Sequence, residues 1–248
     1  MSQTLIRGAR FLLLGALIAA PVSAQLPDAK ELNNRYIAAV GGADVVKKHK
    51  SMHMAGKFEV PAQGLSGTLE AWVDDGKALM VIEIPGIGSI RTGYDGQVGW
   101  QIHPAMGAMI LTGKQLDQLK QQWDPMATLT PEKYVKSAET IEKTTFDGKE
   151  AYKVKIVLHN GEEYVEIYDV KTALNIGTIR KSETPMGAVE TISTITEYQK
   201  YDGQLVSTKV KQSAMGMDQV LTITSVEFAA PPASTFELPK EIKALAGK

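Results

Sequence analysis

From Ser51 onward apolar and polar positions alternate with a period of two, whereas the stretch before it follows a period of 3.6. Over 28–50, DAKELNNRYIAAVGGADVVKKHK places Leu32, Tyr36, Ala39 and Val40 near one face. It stops its first helix at Gly41-Gly42 and leaves a further short turn over 44–48. SGTLEAWV then sets Leu69, Ala71 and Val73 against Thr68, Glu70 and Trp72, a strand with one apolar and one mixed face. Recurrent turn signals predict twelve strands, at 51–60, 65–73, 78–84, 89–94, 98–103, 138–145, 150–158, 162–168, 174–183, 188–198, 204–213 and 218–228. One long interruption, 104–137, carries Leu116, Leu119 and Trp123 at helical spacing behind Thr112 as a candidate N-cap. A helix is expected there over 113–123, then loop and a helical turn from Pro131.

The turns fall into two sets. Asp75-Gly76, Asp95-Gly96, Asp147-Gly148 and Asp202-Gly203 are polar, as is the glycine-free turn 169–172. PAQG (61–64), PGIG (85–88), PAMG (104–107), TPMG (184–187) and AMGM (214–217) are apolar, and HNG (159–161) alternates with them as a polar exception. In an up-and-down meander successive turns lie at opposite ends of the sheet, and the two sets alternate along the chain without a miss. Asp-Gly supplies the positive φ of a tight hairpin, so the polar set reads as a hairpin device rather than as chemistry.

The other set admits three readings. Its tips carry Ile87, Met106, Met109, Met186, Met215 and Met217, and hairpin tips are ordinarily polar. The tips either fold inward to complete the core or rim a groove for an acyl chain, a use to which adaptable methionine is suited. The third reading is thioether coordination of a soft metal, since Met52 and Met54 flank His53 and Met215-x-Met217 repeats the spacing. On the second reading Trp123, from the inserted helix, joins the mouth.

Twelve strands cannot stay flat and open, so the sheet is expected to curl strongly around the helical segments, leaving part of the hollow for a guest. EIKALAGK at the C-terminus is a further candidate filler. Glu83, among the apolar residues of ALMVIEIPGIG, is expected to be a buried carboxylate paired with Arg91 across the PGIG hairpin. Glu162, Tyr164 and Glu166 share a strand face that reads, with Lys153 and Lys155, as solvated outer surface.

Composition narrows the function classes. Residues 1–24 have Arg7 and Arg10, the apolar run FLLLGALIAA and the small residues Val22-Ser23-Ala24, the layout of a signal peptide cleaved after Ala24. The ten-residue apolar run is short for a membrane span. The chain is therefore expected to be exported and released, with 25–248 the size of one β-rich domain or two small ones and no other segment apolar enough to cross a membrane. Net charge is −1 for the 248 residues, and −3 without the two leader arginines, with no basic block, which argues against nucleic acid as a partner. There is no cysteine, so no disulfide holds the fold. HExxH, GxSxG, CxxC and phosphate-loop patterns are absent, and Glu83, Arg91 and His103 are scattered candidates at best, so no enzyme, cofactor or resident metal is expected.

Four features together resemble the bacterial outer-membrane lipoprotein-sorting proteins, the LolA/LolB-like superfamily. They are the leader, the opening YIAAVGGADVVKKHKSMHMAGKF, GYDGQVGWQIHP followed by LTGKQLDQLKQQW, and the closing VEFAAPPASTFELP, so that the likeness covers nearly all of 28–239. The resemblance implies an incomplete antiparallel barrel of about 11–12 strands wrapped around short helices, with an apolar cavity for a lipid or the acyl chain of a lipoprotein. It also implies a role for a cavity arginine, for which Arg91 is the candidate here. The function the resemblance implies is a non-catalytic periplasmic carrier, with 25–248 as a single domain. The alternative is a cell-envelope protein that uses its sheet as a docking surface for another envelope protein.

Overall fold

The computed structural model describes residues 25–184 and 187–247. The expected signal peptide and Met186 lie outside the described residues. The chain opens with α1 (Ala29–Ala39), capped by the Asp28 carboxylate, which accepts from the Lys30 N–H at 2.8 Å. Gly41 and Gly42 end it with φ of 125° and 90°, and α2 (Ala43–Lys48) follows.

One antiparallel sheet takes up most of what remains. A first meander comprises β1 (Ser51–Val60), β2 (Leu65–Asp74), β3 (Lys77–Ile84), β4 (Gly88–Tyr94), β5 (Gly99–His103) and β6 (Gly107–Leu111). After α3 (Gly113–Trp123) a second comprises β7 (Val135–Phe146), β8 (Lys149–Leu158), β9 (Glu163–Asp169), β10 (Asn175–Thr184), β11 (Gly187–Tyr201), β12 (Gln204–Ala214) and β13 (Met217–Glu227), and α4 (Lys240–Leu245) closes the chain. Expected strands and helices coincide with these to within a few residues, except β6, which forms inside the stretch read as irregular.

The strand order is β6-β5-β4-β3-β2-β1-β13-β12-β11-β10-β9-β8-β7, thirteen strands in one line. The two meanders join where β1 pairs with β13, with Phe58 opposite Leu221 and Met54 opposite Val226. β6 and β7 remain as two unpaired edges. The expectation of a strongly curved, incomplete barrel of 11–12 strands is therefore overturned: the sheet is open.

The physical reason lies at those edges. Closure needs β6 to pair with β7, but α3 and the chain around it stand between them. A Cβ on Gly99 of β5 would sit 2.6 Å from Leu116 of α3, while Gln118 and Gln121 of α3 donate to Glu162 (3.1 Å) and to the Tyr164 hydroxyl (3.0 Å) beside and on β9. α4 packs on β6 and α1 on β7. Register shifts at Val135/Ser137 and Thr140/Glu142, together with the charges of β7, further blunt that edge.

Both faces of the sheet are apolar over part of their extent. On one, Leu32 of α1 packs with Val154, Ile156, Leu158, Tyr164 and Tyr168, and Phe58, Val60, Leu69, Ile82 and Ile84 continue the same face. On the other, Phe236, Leu238 and Ile242 cover Leu79 and Trp100. Because consecutive strands are antiparallel, tips 61–64, 85–87, 104–106, 159–161 and 215–216 lie at one end, and Asp75, Asp95, Asp147 and Asp202 at the other.

Candidate functional site

The Asp-Gly turns are hairpin devices. Asp75, Asp147 and Asp202 have φ of 46°, 48° and 40°, and each is followed by a glycine that is also left-handed, the two-residue turn that matches strand twist. Asp95 instead accepts from the N–H groups of Gln97 (2.8 Å) and Val98 (2.6 Å). At the opposite end the tips do not fold into the core. Met106 is 61% exposed, Met215 64%, and Ile87 and Met217 44% each. Neighbouring tips touch: a Cβ on Gly88 would lie 3.3 Å from Pro104, and the Gln63 side chain meets the Met217 sulfur at 3.5 Å. Ile87, Met106, Met215 and Met217 thus stand in a row along one end of the sheet, with half-buried Met109 behind them on β6.

Of the remaining expected site residues, Trp123 ends α3 and is half-buried. Arg91 opposes Val81 and Ile102, with its guanidinium 5.5 Å from the centre of the Trp100 ring. It belongs to the face covered by the C-terminal segment. Glu83 is exposed and opposes Ser89, so the buried Glu83–Arg91 pair is corrected: odd-numbered positions of β3 alternate to the mixed face at the strand's end. The Met clusters do not meet either. Met54 sits opposite Val226 near the end of β13, whereas Met217 begins that strand. Among the described residues no group of three or more His, Cys, Asp or Glu could hold a metal ion.

A cavity lies elsewhere. It has a volume of about 920 Å³, between α1, α3 with the segment after it, and the faces of β8–β12, which is within the ~300–1,000 Å³ of small-molecule sites. Its apolar wall includes Ala29, Val154 and Ile156, and its polar wall includes Tyr36, Tyr164, Glu166, Tyr168, Thr178, Arg180 and Ser193. Of the sequence-expected mouth residues, Ile87, Arg91, Met106, Met109, Trp123, Met215 and Met217 do not line it.

Register explains why this face was misjudged. Tyr164 opposes Ile156 and Glu166 opposes Val154, whereas Lys153 and Lys155 pair with Ile167 and Val165. Lys153 and Lys155 thus occupy the opposite face, and the reading of Tyr164 and Glu166 as solvated outer surface is corrected. The signal that could have found them is the run Tyr164-x-Glu166-x-Tyr168, three groups able to hydrogen-bond on one strand face opposite an apolar one.

Electrostatically the cluster is unusual. Burial raises the Glu166 pKa, against the lowering effects of the Tyr168 hydroxyl it accepts from, the Arg180 charge and the Tyr164 hydroxyl. Burial, then the Glu166 charge, push Tyr36 up to about 12 even though a hydrogen bond to Tyr198 opposes the shift. Tyr168 and Tyr198 are raised as well, by burial first. Tyr36 and Tyr168 meet edge to face at 5.9 Å, and the Arg180 guanidinium lies 3.8 Å from the Tyr164 ring centre. The site offers hydroxyl groups, the Arg180 guanidinium with Lys30 and Lys136, and the Glu166 carboxyl, whose pKa burial raises, beside an apolar wall.

No protein-family model and no curated protein matches the sequence. Solved structures do. A DUF1329 family protein from Desulfovibrio piger is similar with a TM-score of 0.57 at 11% identity, over 84% of this chain and 96% of that one. A LolA superfamily protein from Nitrosomonas europaea gives 0.57 at 11% identity, over 86% of this chain and 99% of that one. At such identities the likeness is one of fold: the architecture of this chain is similar to that of these two proteins.

Proposed function

We propose that the protein is a non-catalytic carrier or binding protein of the bacterial cell envelope that holds a lipid-like ligand, a free lipid or the acyl chain of a lipoprotein, in the cavity beneath α1 and α3. The observation that carries this reading is the cavity itself: about 920 Å³ with an apolar wall on one side and hydrogen-bonding groups on the other. The LolA-superfamily fold supports it, as does the leader-like sequence of 1–24, by which the chain is exported to the periplasm as the domain 25–248. Among the described residues no helix is long and apolar enough to cross a membrane. Organic extraction of the purified protein followed by mass spectrometry is expected to release a lipid. Repeated extraction without one, together with no uptake of added fatty acid, removes the reading.

The exposed tips favour a second reading, docking on another envelope protein. In the carrier reading the same row of Ile87, Met106, Met215 and Met217 is the surface through which the ligand is handed over. The double substitution Met106→Glu and Met215→Glu is expected to slow transfer of a fluorescent fatty acid to acceptor vesicles at least about tenfold, while equilibrium binding changes by less than about twofold. Loss of binding itself would instead make the tips part of the ligand site.

A further inference from the structure

Arg180 stands out among the groups that line the cavity. It lies on β10 opposite Tyr164 of β9 and Thr191 of β11, stacked on the Tyr164 ring. Among the described residues it makes no ion pair. On the sheet wall of the cavity the carboxylate is Glu166, which accepts from the hydroxyls of Tyr164 and Tyr168, while Asp28, Asp124 and Glu132 line the cavity from the helices and the segment after α3. A guanidinium carries five donors in a planar fork matched to carboxylate and phosphate. Here that fork has one face on an aromatic ring and faces a cavity whose nearby walls, Thr178, Thr191 and Ser193, supply neutral hydroxyls.

We propose that the cavity binds amphiphiles through an anionic head group, a carboxylate or a phosphate, seated on Arg180, with the chain laid against Val154, Ile156 and Ala29. This rests on the carrier reading and narrows it, since an acyl chain held by apolar contacts alone would have no use for the head. Tyr36, its hydroxyl kept protonated, lines the same cavity as a donor for the head, whereas the Tyr164 and Tyr168 hydroxyls already donate to Glu166. Glu166 feels the Arg180 charge but forms no ion pair with it among the described residues, which leaves that charge only partly compensated within the wall. An anion entering the cavity completes that charge balance, and a neutral alcohol of the same length does not.

The test compares heads at constant chain length. Dodecanol, dodecanoate and dodecyl phosphate, each below its micelle concentration, displace the uncharged fluorescent probe phenylnaphthylamine from the full mature chain. At least one of the two anions is expected to compete about tenfold or more better than dodecanol, the margin a charge-assisted hydrogen bond provides. A preference confined to dodecanoate identifies free fatty acids as the source of the head, and one confined to dodecyl phosphate identifies phospholipids. Arg180→Gln is expected to bring the three competitors within about twofold, and Arg180→Lys to restore part of the difference. Circular dichroism checks that both variants keep the sheet. If Arg180→Gln does not fold, dodecanoate titrated into the wild-type chain is expected to shift the Arg180 guanidinium resonance, which dodecanol leaves in place. Equal competition by all three heads in the wild type overturns the anion site and leaves the carrier reading standing, as does an anion preference that survives Arg180→Gln. Failure of the probe and of all three amphiphiles to bind overturns the carrier reading as well.

Discussion

Glu166 is held by its surroundings toward the neutral acid. It faces Tyr164 and Tyr168 on its own strand, Arg180 on β10, Tyr36 on α1 and Tyr198 on β11, and of these only Arg180 is a cation. A carboxyl whose folded pKa is raised contributes stability that is fully present below its unfolded value of ~4.3 and is lost as pH rises through the folded value. Glu166→Gln keeps an oxygen to accept from the Tyr168 hydroxyl and removes the titration. The variant is therefore expected to match the wild type in stability at pH 4 and to exceed it increasingly toward pH 7, as measured by urea unfolding across that range. A variant that is less stable at pH 7 would mean the ionised carboxylate is satisfied by Arg180 and the hydroxyls. The sequence marks Glu166 only as a polar position in an alternating strand. Which of two faces is the inner one depends on α1 and α3 landing there, and that is decided by contacts more than a hundred residues apart in the case of α1.

Among the elements, the hairpins were the most legible, because a two-residue turn writes its backbone requirement into adjacent residues. At the polar end the first turn position, left-handed in all three cases, is Asp75, Asp147 or Asp202. At the opposite end the equivalent position of the β12–β13 turn is Met215, with φ of 51° and its side chain 64% exposed. A methionine gains nothing there locally: left-handed backbone costs a non-glycine residue about 1–2 kcal/mol, and Asn or Asp recover part of it. Met215→Asn is expected to raise stability by about 0.5–1 kcal/mol in thermal or denaturant unfolding. The same variant is expected to slow ligand transfer if the tips are a handover surface, so stability and function would move in opposite directions. By contrast β6 was not legible. GAMIL offers five residues with no polar alternation, next to an apolar tip, and short apolar runs do not reveal their period. Thr112 was a legible helix start by position, although its side chain makes no capping hydrogen bond.

For the whole molecule, the decisive contact is the one local pattern could not reveal, the pairing of β1 with β13. It converts two meanders into one sheet, and its partners lie more than 160 positions apart, such as Phe58 and Leu221. Turn signals describe neighbours in sequence, so they predicted the hairpins on either side of this seam and the ends at which their tips lie. They carried no information on whether the remaining strands would close with one another, and the barrel expectation failed there. The seam also has a point of close approach. At the register shift between Ala55 and Gly56, a Cβ on Gly56 would stand 2.1 Å from the Thr222 carbonyl oxygen, a backbone atom that cannot swing aside. Gly56→Ala must therefore push β13 away from β1 or distort the shift, at a cost of about 1–3 kcal/mol, or about 2–4 °C of melting temperature per kcal/mol for a chain of this size. Because the seam belongs to both meanders, tryptophan fluorescence, which reports on Trp72 and Trp100 in the first meander and on Trp123 at the end of α3, is expected to fall at the same temperature as far-UV circular dichroism, which reports on the sheet as a whole. Two separated transitions in Gly56→Ala, with the first meander melting apart from the second, would show that the halves fold as independent units and that β1–β13 only brings them into contact.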